Sequence, residues 1–419
     1  MRRDSLWFHP DFRRLWAGDT VSQVGTFVGH TVLPMIAVTA LSASAFETGL
    51  LTAAENAAFL LIGLPAGVWV DRLRRRPLML RADFFRAALL FTVPLAWWLD
   101  MLTLAQLVVV ALLVSVGTVF FDVAYQSYLP SLVGRGQLVE GNAKLQASQS
   151  VAQITGPGVG GGLAQLAGAA NAVLVTGFGY LASGLFLLRI KASEPAPEPH
   201  DGSGLGARIA EGLRFVFGNP ALRAITLCTS TANLANNVFL AVQILYLIRE
   251  LGLSPAATGA VLAVGGAGGV LGALTATWWT RRIGQARAIW LVMLVCAPAM
   301  LLVPLAGPGW RIGLLLLGLA IFDYGVIVYN VAQVSYRQAI CPDRLLGRMN
   351  ASVRFVVWGT MPIGGLLGGA LGEWLGVRGT VWVAAVAAPL TVVPLLLSPL
   401  RRMRDIPDVT GSPALSSPV

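Results

Sequence analysis

Long apolar runs, separated by short polar stretches, fill this chain almost from end to end. A helix needs about 20 apolar residues to cross ~30 Å of hydrocarbon. By that criterion the sequence predicts twelve spans, at 15–40, 48–70, 77–98, 103–127, 144–167, 170–190, 221–247, 256–279, 286–306, 311–334, 347–372 and 377–398. Several hold Pro or Gly inside the run, which membrane helices tolerate. The polar residues within the runs are not scattered. They gather in the first, fourth, seventh and tenth spans, at steps of three and four that mark one helix face.

The longest connection, Lys191–Pro220, lies near the middle. It opens with a Pro/Glu/Ser/Gly-rich linker and then sets Leu205, Ile209, Leu213 and Val216 at helical spacing, as in a short amphipathic helix on a membrane surface. A shift of 208 residues lays Ser127-Tyr128 on Ser335-Tyr336, Asn142-Ala143 on Asn350-Ala351, and Gly156, Gly160 and Gly161 on Gly364, Gly368 and Gly369. Such an internal repeat is what duplicated transporter halves leave behind. The expected class is therefore an all-α membrane protein of twelve transmembrane helices in two pseudo-symmetric six-helix halves. The halves are expected at 1–190 and 221–404, with a cytoplasmic linker at 191–220 and a disordered tail at 405–419.

Composition sharpens the class. The chain has 419 residues, 56% hydrophobic and 12% charged, with a net charge of +10. Soluble domains carry about 25% charged residues. The positive charge sits in short inter-span loops, which signals topology and not nucleic-acid binding. Of thirty Lys and Arg residues, only Arg249, Arg311 and Arg378 fall in the odd-numbered loops. Positive-inside logic then makes both termini cytoplasmic. The Arg-dominated, Ala/Gly/Val-rich usage suggests a GC-rich bacterial genome, hence a multi-pass protein of the bacterial inner membrane. The first run lacks the short core and small-residue cleavage site of a leader and is expected to be retained. Cys228, Cys296 and Cys341 lack ligand spacing, so neither disulfide, metal nor other cofactor is expected.

Two motifs carry a resemblance. After the second span stands Gly67-Val68-Trp69-Val70-Asp71-Arg72-Leu73-Arg74-Arg75-Arg76, similar to the G-x-x-x-D-[RK]-x-G-R-[RK] signature of the major facilitator superfamily. Gly67, Asp71, Arg72, Arg75 and Arg76 match it, and Arg74 stands where Gly is usual. In the fifth span Gly156, Pro157, Gly160 and Gly161 match the G-P-x-x-G-G motif of its drug-exporter branch. Residues 12–18, 82–86 and 138–148 further resemble the macrolide-efflux and enterobactin-exporter group. The same glycines also read literally as G-x-G-x-x-G, but no βαβ unit surrounds them, and no phosphate-binding loop for ATP occurs.

The resemblance implies alternating access around a central cavity lined by the first, fourth, seventh and tenth spans. Candidates there are Gln23, Thr26, His30, Tyr125, Gln126, Asn233, Asn237, Tyr324, Asn330 and Gln333. Their polar faces alone also fit hydrogen bonds between helices. The resemblance places Asp71 as a gate against the start of span 11, where a helix N-terminus favours a carboxylate. The glycine motif is expected to pack helices closely and Pro157 to bend one. Intramembrane carboxylates mark functional sites by default, and Asp122, Asp323, Glu55 and Asp19 are the candidates for proton coupling. Asp83 and Arg86, three residues apart, are expected to pair.

The expected function is a monomeric secondary transporter that exports amphipathic, drug-like small molecules in exchange for protons, and not an enzyme. Its partners would be substrate, protons and the lipid bilayer, with no nucleic acid. Export or import of a polar metabolite or siderophore is the alternative, favoured by any cationic residue facing the cavity, for which Arg354 is the candidate. A receptor or membrane enzyme would need a metal cluster, nucleophile arrangement or soluble domain that the sequence lacks.

Overall fold

The structure is a computed structural model that describes residues 6–71, 73–133, 137–192, 194 and 205–405. Described residues form helices and short connections, with no strand among them. The first six long helices are α1 (Pro10–Thr39), α2 (Ala45–Asp71), α3 (Arg75–Trp98), α4 (Leu104–Val133), α5 (Leu138–Ala167) and α6 (Ala169–Leu188). A shorter α7 (Leu205–Gly218) precedes α8 (Pro220–Leu245), α9 (Pro255–Ile283), α10 (Gln285–Cys296), α11 (Ile312–Ile340) and α12 (Asp343–Leu390). A last single turn, α13, spans Val393–Leu396.

Local chemistry fixes many of the ends. Proline opens α1, α8 and α9, where its missing N–H costs nothing, and His9, Asn219 and Ser254 cap the first turns. In α2, Ser44 and Glu47 form a reciprocal capping box, the two backbone N–H groups each donating to the other's side chain. Beyond Cys296 the chain tightens into a 3₁₀ helix over Ala297–Leu305, where Pro298 and Pro304 withhold donors. Gly376 adopts φ 76°, a left-handed conformation that breaks α12 into two helical stretches.

Among the described residues, nine helices are long and apolar enough to cross a membrane. Twelve spans were expected, and the difference has a physical origin. Helix α3 carries Arg75, Arg76, Arg81, Asp83 and Arg86, and α5 interleaves Gln, Ser, Thr and Gly with its apolar residues, so neither is apolar enough to count. The two stretches flanking Gly376 count as one span, Arg348–Leu396.

Helices α1 to α6 pack on one another, as do α8 to α12, and the two groups meet chiefly along α2–α12 and α5–α9. Glycines set these contacts. A Cβ added to Gly156 would lie 2.4 Å from the Phe27 Cβ, and one on Gly160 would press on Val28 and Val32, so both pack α5 against α1. Gly161 faces the other way, where a Cβ would come within 2.4 Å of the Pro255 carbonyl of α9. The second group repeats the pattern: Gly364 and Gly368 rest on α8, and Gly369 crosses to Phe46 of α2. Pro157 takes part through its carbonyl, which abuts Gly259.

Candidate functional site

Many contacts between the groups lie away from the arginine-rich loops. Gly49 of α2 and Gly369 of α12 leave no room for a side chain between them. Arg249 donates to the Val38 carbonyl at 3.1 Å. Glu373 of α12 accepts from the Phe46 N–H at 3.0 Å, so it caps α2 from across the junction. That face is closed. Toward the arginine-rich face, Gln126 of α4 and Arg354 of α12 meet at 3.1 Å while both remain exposed, so they border open space between the groups.

The charges nearest that space form one cluster. On α3, Asp83 and Arg86 are fully buried and paired at 2.5 Å. Arg86 also donates to Thr118 of α4 at 3.2 Å and lies 4.6 Å and 4.0 Å from the ring centroids of Phe121 and Tyr180. Gly117 makes this possible, since a Cβ there would lie 2.8 Å from the Arg86 Cγ. These contacts make an intramembrane guanidinium tolerable, although among the described residues the Arg86 Nε and the second Asp83 oxygen have no hydrogen-bond partner. Asp19 of α1 and Asp122 of α4 join the unit: Asp19 interacts electrostatically with Asp122 and Asp83, and Asp122 with Arg86 and Arg354. Asp19 is 4% exposed and, among the described residues, receives only a long contact, 3.5 Å, from Gln23. Asp122 is partly open. Tyr125 stacks on Phe121 and buries its hydroxyl without a partner.

A second pair lies deeper. His30 Nδ1 approaches Glu55 Oε2 at 3.7 Å, with the imidazole side chain 56% exposed and the carboxylate 11%. Both are about 14–15 Å from the closed-face ends of α1 and α2, by helix rise. The other Glu55 oxygen is buried and unpartnered. Asp323 of α11 stands apart from these groups and faces α9, where a Cβ on Gly265 would come within 2.4 Å of its Oδ2.

The remaining polar candidates divide. Thr26 bonds the Tyr180 hydroxyl at 3.1 Å, Asn233 donates to the Val357 carbonyl at 3.3 Å, and Tyr324 accepts from Thr275 at 2.8 Å and Trp279 at 2.5 Å. All three engage neighbouring helices. Asn237 is buried and donates along its own helix to the Asn233 carbonyl. Gln333, also buried, donates to the partly open Asn330 at 3.4 Å, and its Oε1 is unpartnered.

In the basic loop, the N–H groups of Arg75 and Arg76 donate to the Glu194 carboxylate, and the Arg76 side chain donates to the Leu187 and Leu188 carbonyls that end α6. Arg72, the surroundings of Gly67 and the Asp71 side chain lie outside what the structure describes. The first turns of α12 are gripped by α7: Glu211 pairs with Arg348, and Gly212 sits against Ser352. The sequence puts Thr118 on the polar face of the fourth span but gives no cavity role to Tyr180 or Trp358. Only the aromatic and hydroxyl content of the spans could have pointed to them.

A family profile described as "transmembrane secretion effector" matches residues 7–417. The chain belongs to that family. Members are transporters of the major facilitator type, so it is a transmembrane transporter and not an enzyme. Among curated relatives, the multidrug efflux pump Tap of Mycolicibacterium fortuitum is 26% identical over 88% of this chain and 90% of its own. The enterobactin exporter EntS of Shigella boydii is 27% identical over 96% of each chain. In fold, the chain resembles a bacterial homologue of the iron transporter ferroportin. The TM-score is 0.73 for its inward-facing state, at 16% identity and covering 92% of this chain and 98% of that one. It falls to 0.62 for the outward-facing state, at 17% identity with the same coverage.

Proposed function

We propose that this transporter exports amphipathic small molecules from the bacterial cytoplasm by proton-coupled alternating access. The observation that carries the proposal is the linked cluster of Asp19, Asp83 and Asp122 with the buried guanidinium of Arg86, beside the open side of the molecule. Three carboxylates and one guanidinium in a site of low dielectric take up and release a proton as their surroundings change. Asp83 is committed to Arg86 and Asp19 is buried, so Asp122, partly open and facing both Arg86 and Arg354, is the exchanging group. Glu55 with His30 is a second candidate, on the path toward the closed face. Asp323 is a third, on the α11 side.

In this account twelve spans form two six-helix halves, 1–190 and 221–404, joined by 191–220 and followed by a tail at 405–419. The halves rock against each other as the glycine seams open and close. Taking the arginine-rich face as cytoplasmic, both termini are inside and the present arrangement is inward-open. When the inner side closes, Asp71 caps the start of α12, replacing part of the hold that α7 has now. The names of the two relatives support export and leave the choice between drug-like compounds and siderophores to chemistry.

The experiment is an accumulation panel of diverse amphipathic compounds in a strain lacking its main efflux pumps, with and without this chain. At least one chemical group of compounds is expected to accumulate less in expressing cells. Unchanged accumulation across the panel would contradict export.

A further inference from the structure

Arg86 and Arg354 are treated very differently by their surroundings. Arg86 has a carboxylate, a hydroxyl and two rings. Arg354 lies six residues beyond Arg348, where the apolar span of α12 begins, about 9 Å into it by helix rise. It has no ion pair among the described residues, and it donates to the neutral amide of Gln126. An unpaired intramembrane guanidinium is costly unless it meets water or a ligand. Arg337 of α11 stands within electrostatic reach of it, only 9% exposed, and its Nε is buried without a partner. Two guanidinium groups on this wall thus lack a carboxylate at ion-pair distance, and Asp122 acts on Arg354 only from across the space. Beside them lies an aromatic surface. The Arg354 guanidinium is 5.3 Å from the Trp358 ring centroid, and Trp358 meets Phe59 of α2 edge-to-face at 4.6 Å.

We infer that Arg354, backed by Arg337, is the docking point for the acidic group of an aromatic amphipathic anion whose ring lies against Trp358. Arginine recognises a carboxylate through a rigid fork of donors, and an adjacent ring supplies apolar area at little conformational cost. Binding would exchange the Gln126 contact for a charged one, while Phe59 of α2 beside Trp358 keeps the first group of helices in touch with the site. The inference rests on the transport proposal for the same cavity and narrows it to acidic substrates.

The test is equilibrium binding to the full chain in lipid nanodiscs, with 2-naphthoate, 2-naphthamide and 2-naphthylmethylamine as probes. A charge-assisted hydrogen bond is expected to make naphthoate bind at least about tenfold tighter than naphthamide. Arg354→Gln is expected to bring the acid and amide within about twofold, and Arg354→Lys to keep part of the preference. Equal binding of acid and amide, tighter binding of the amine, binding of none of the probes, or an undiminished acid preference in Arg354→Gln would each overturn the inference. Binding is read without transport, so the two proposals fail separately. Efflux without charge discrimination rejects the anion site alone, and discrimination without efflux rejects the transport reading alone.

Discussion

Asp122→Asn is expected to cut proton-driven efflux by tenfold or more while leaving energy-independent substrate exchange in place. Asn keeps the size and hydrogen-bonding capacity of the side chain and removes only the exchangeable proton and the charge. That charge lies within electrostatic reach of Arg86 from α3 and Arg354 from α12, so it senses both groups of helices. Hydrogen bonds to charged groups are worth about 1.5–3 kcal/mol, and each 1.4 kcal/mol is a factor of about ten. Counterflow of radiolabelled substrate in proteoliposomes separates the two activities. Asp122→Asn vesicles should exchange label yet gain nothing from an imposed pH gradient. A variant that still concentrates substrate on the gradient would move the coupling role to Glu55, Asp323 or Asp19.

Gly161→Leu should remove transport almost entirely, whereas Gly162→Leu, its neighbour, should transport nearly as wild type. The contrast follows from geometry. A Cβ on Gly161 would lie 2.4 Å from the Pro255 carbonyl and 2.9 Å from the Gly259 Cα, all backbone atoms that no rotamer change can clear. At Gly162 nothing lies within 4 Å. Overpacking a tight contact costs about 1–3 kcal/mol or more, applied to the seam that must close in each cycle. Gly49→Leu should behave like Gly161→Leu, because Gly369 and Gly365 stand as close on the α2–α12 seam. Equal efflux from the Gly161 and Gly162 variants, at equal expression, would mean the seam does not close during transport.

Those two neighbouring glycines also show what a sequence can convey. Helical type is local, and the apolar run read at 48–70 became α2, Ala45–Asp71. Helix starts drifted where caps intervened: the run read from residue 15 begins at Pro10, after His9. Which way a residue faces is not local. The motif and the repeat single out Gly161 over Gly162, but that Gly161 faces α9 is seen only once α9 is placed beside it. The polar faces of Thr26, Asn233 and Tyr324 were visible as periodicity, yet their partners Tyr180, Val357 and Thr275 come from distant helices. Hydrogen bonds between helices and cavity lining produce the same spacing. The Asp83–Arg86 pair needed only a three-residue separation to be seen. Arg354 stands out in the sequence as the candidate cation of the cavity, but its neutral partner, Gln126, is 228 residues away and only the fold shows it.

The central claim is exchange of protons for substrate, and proton movement itself tests it most directly. The purified chain is reconstituted in liposomes holding a pH-sensitive dye, and an amphipathic substrate identified in the accumulation panel is added outside with no ion gradient present. Downhill substrate entry is expected to drive protons out, raising the internal pH in wild-type vesicles and not in Asp122→Asn vesicles. Substrate entry with no change in internal pH in the wild type would contradict proton coupling.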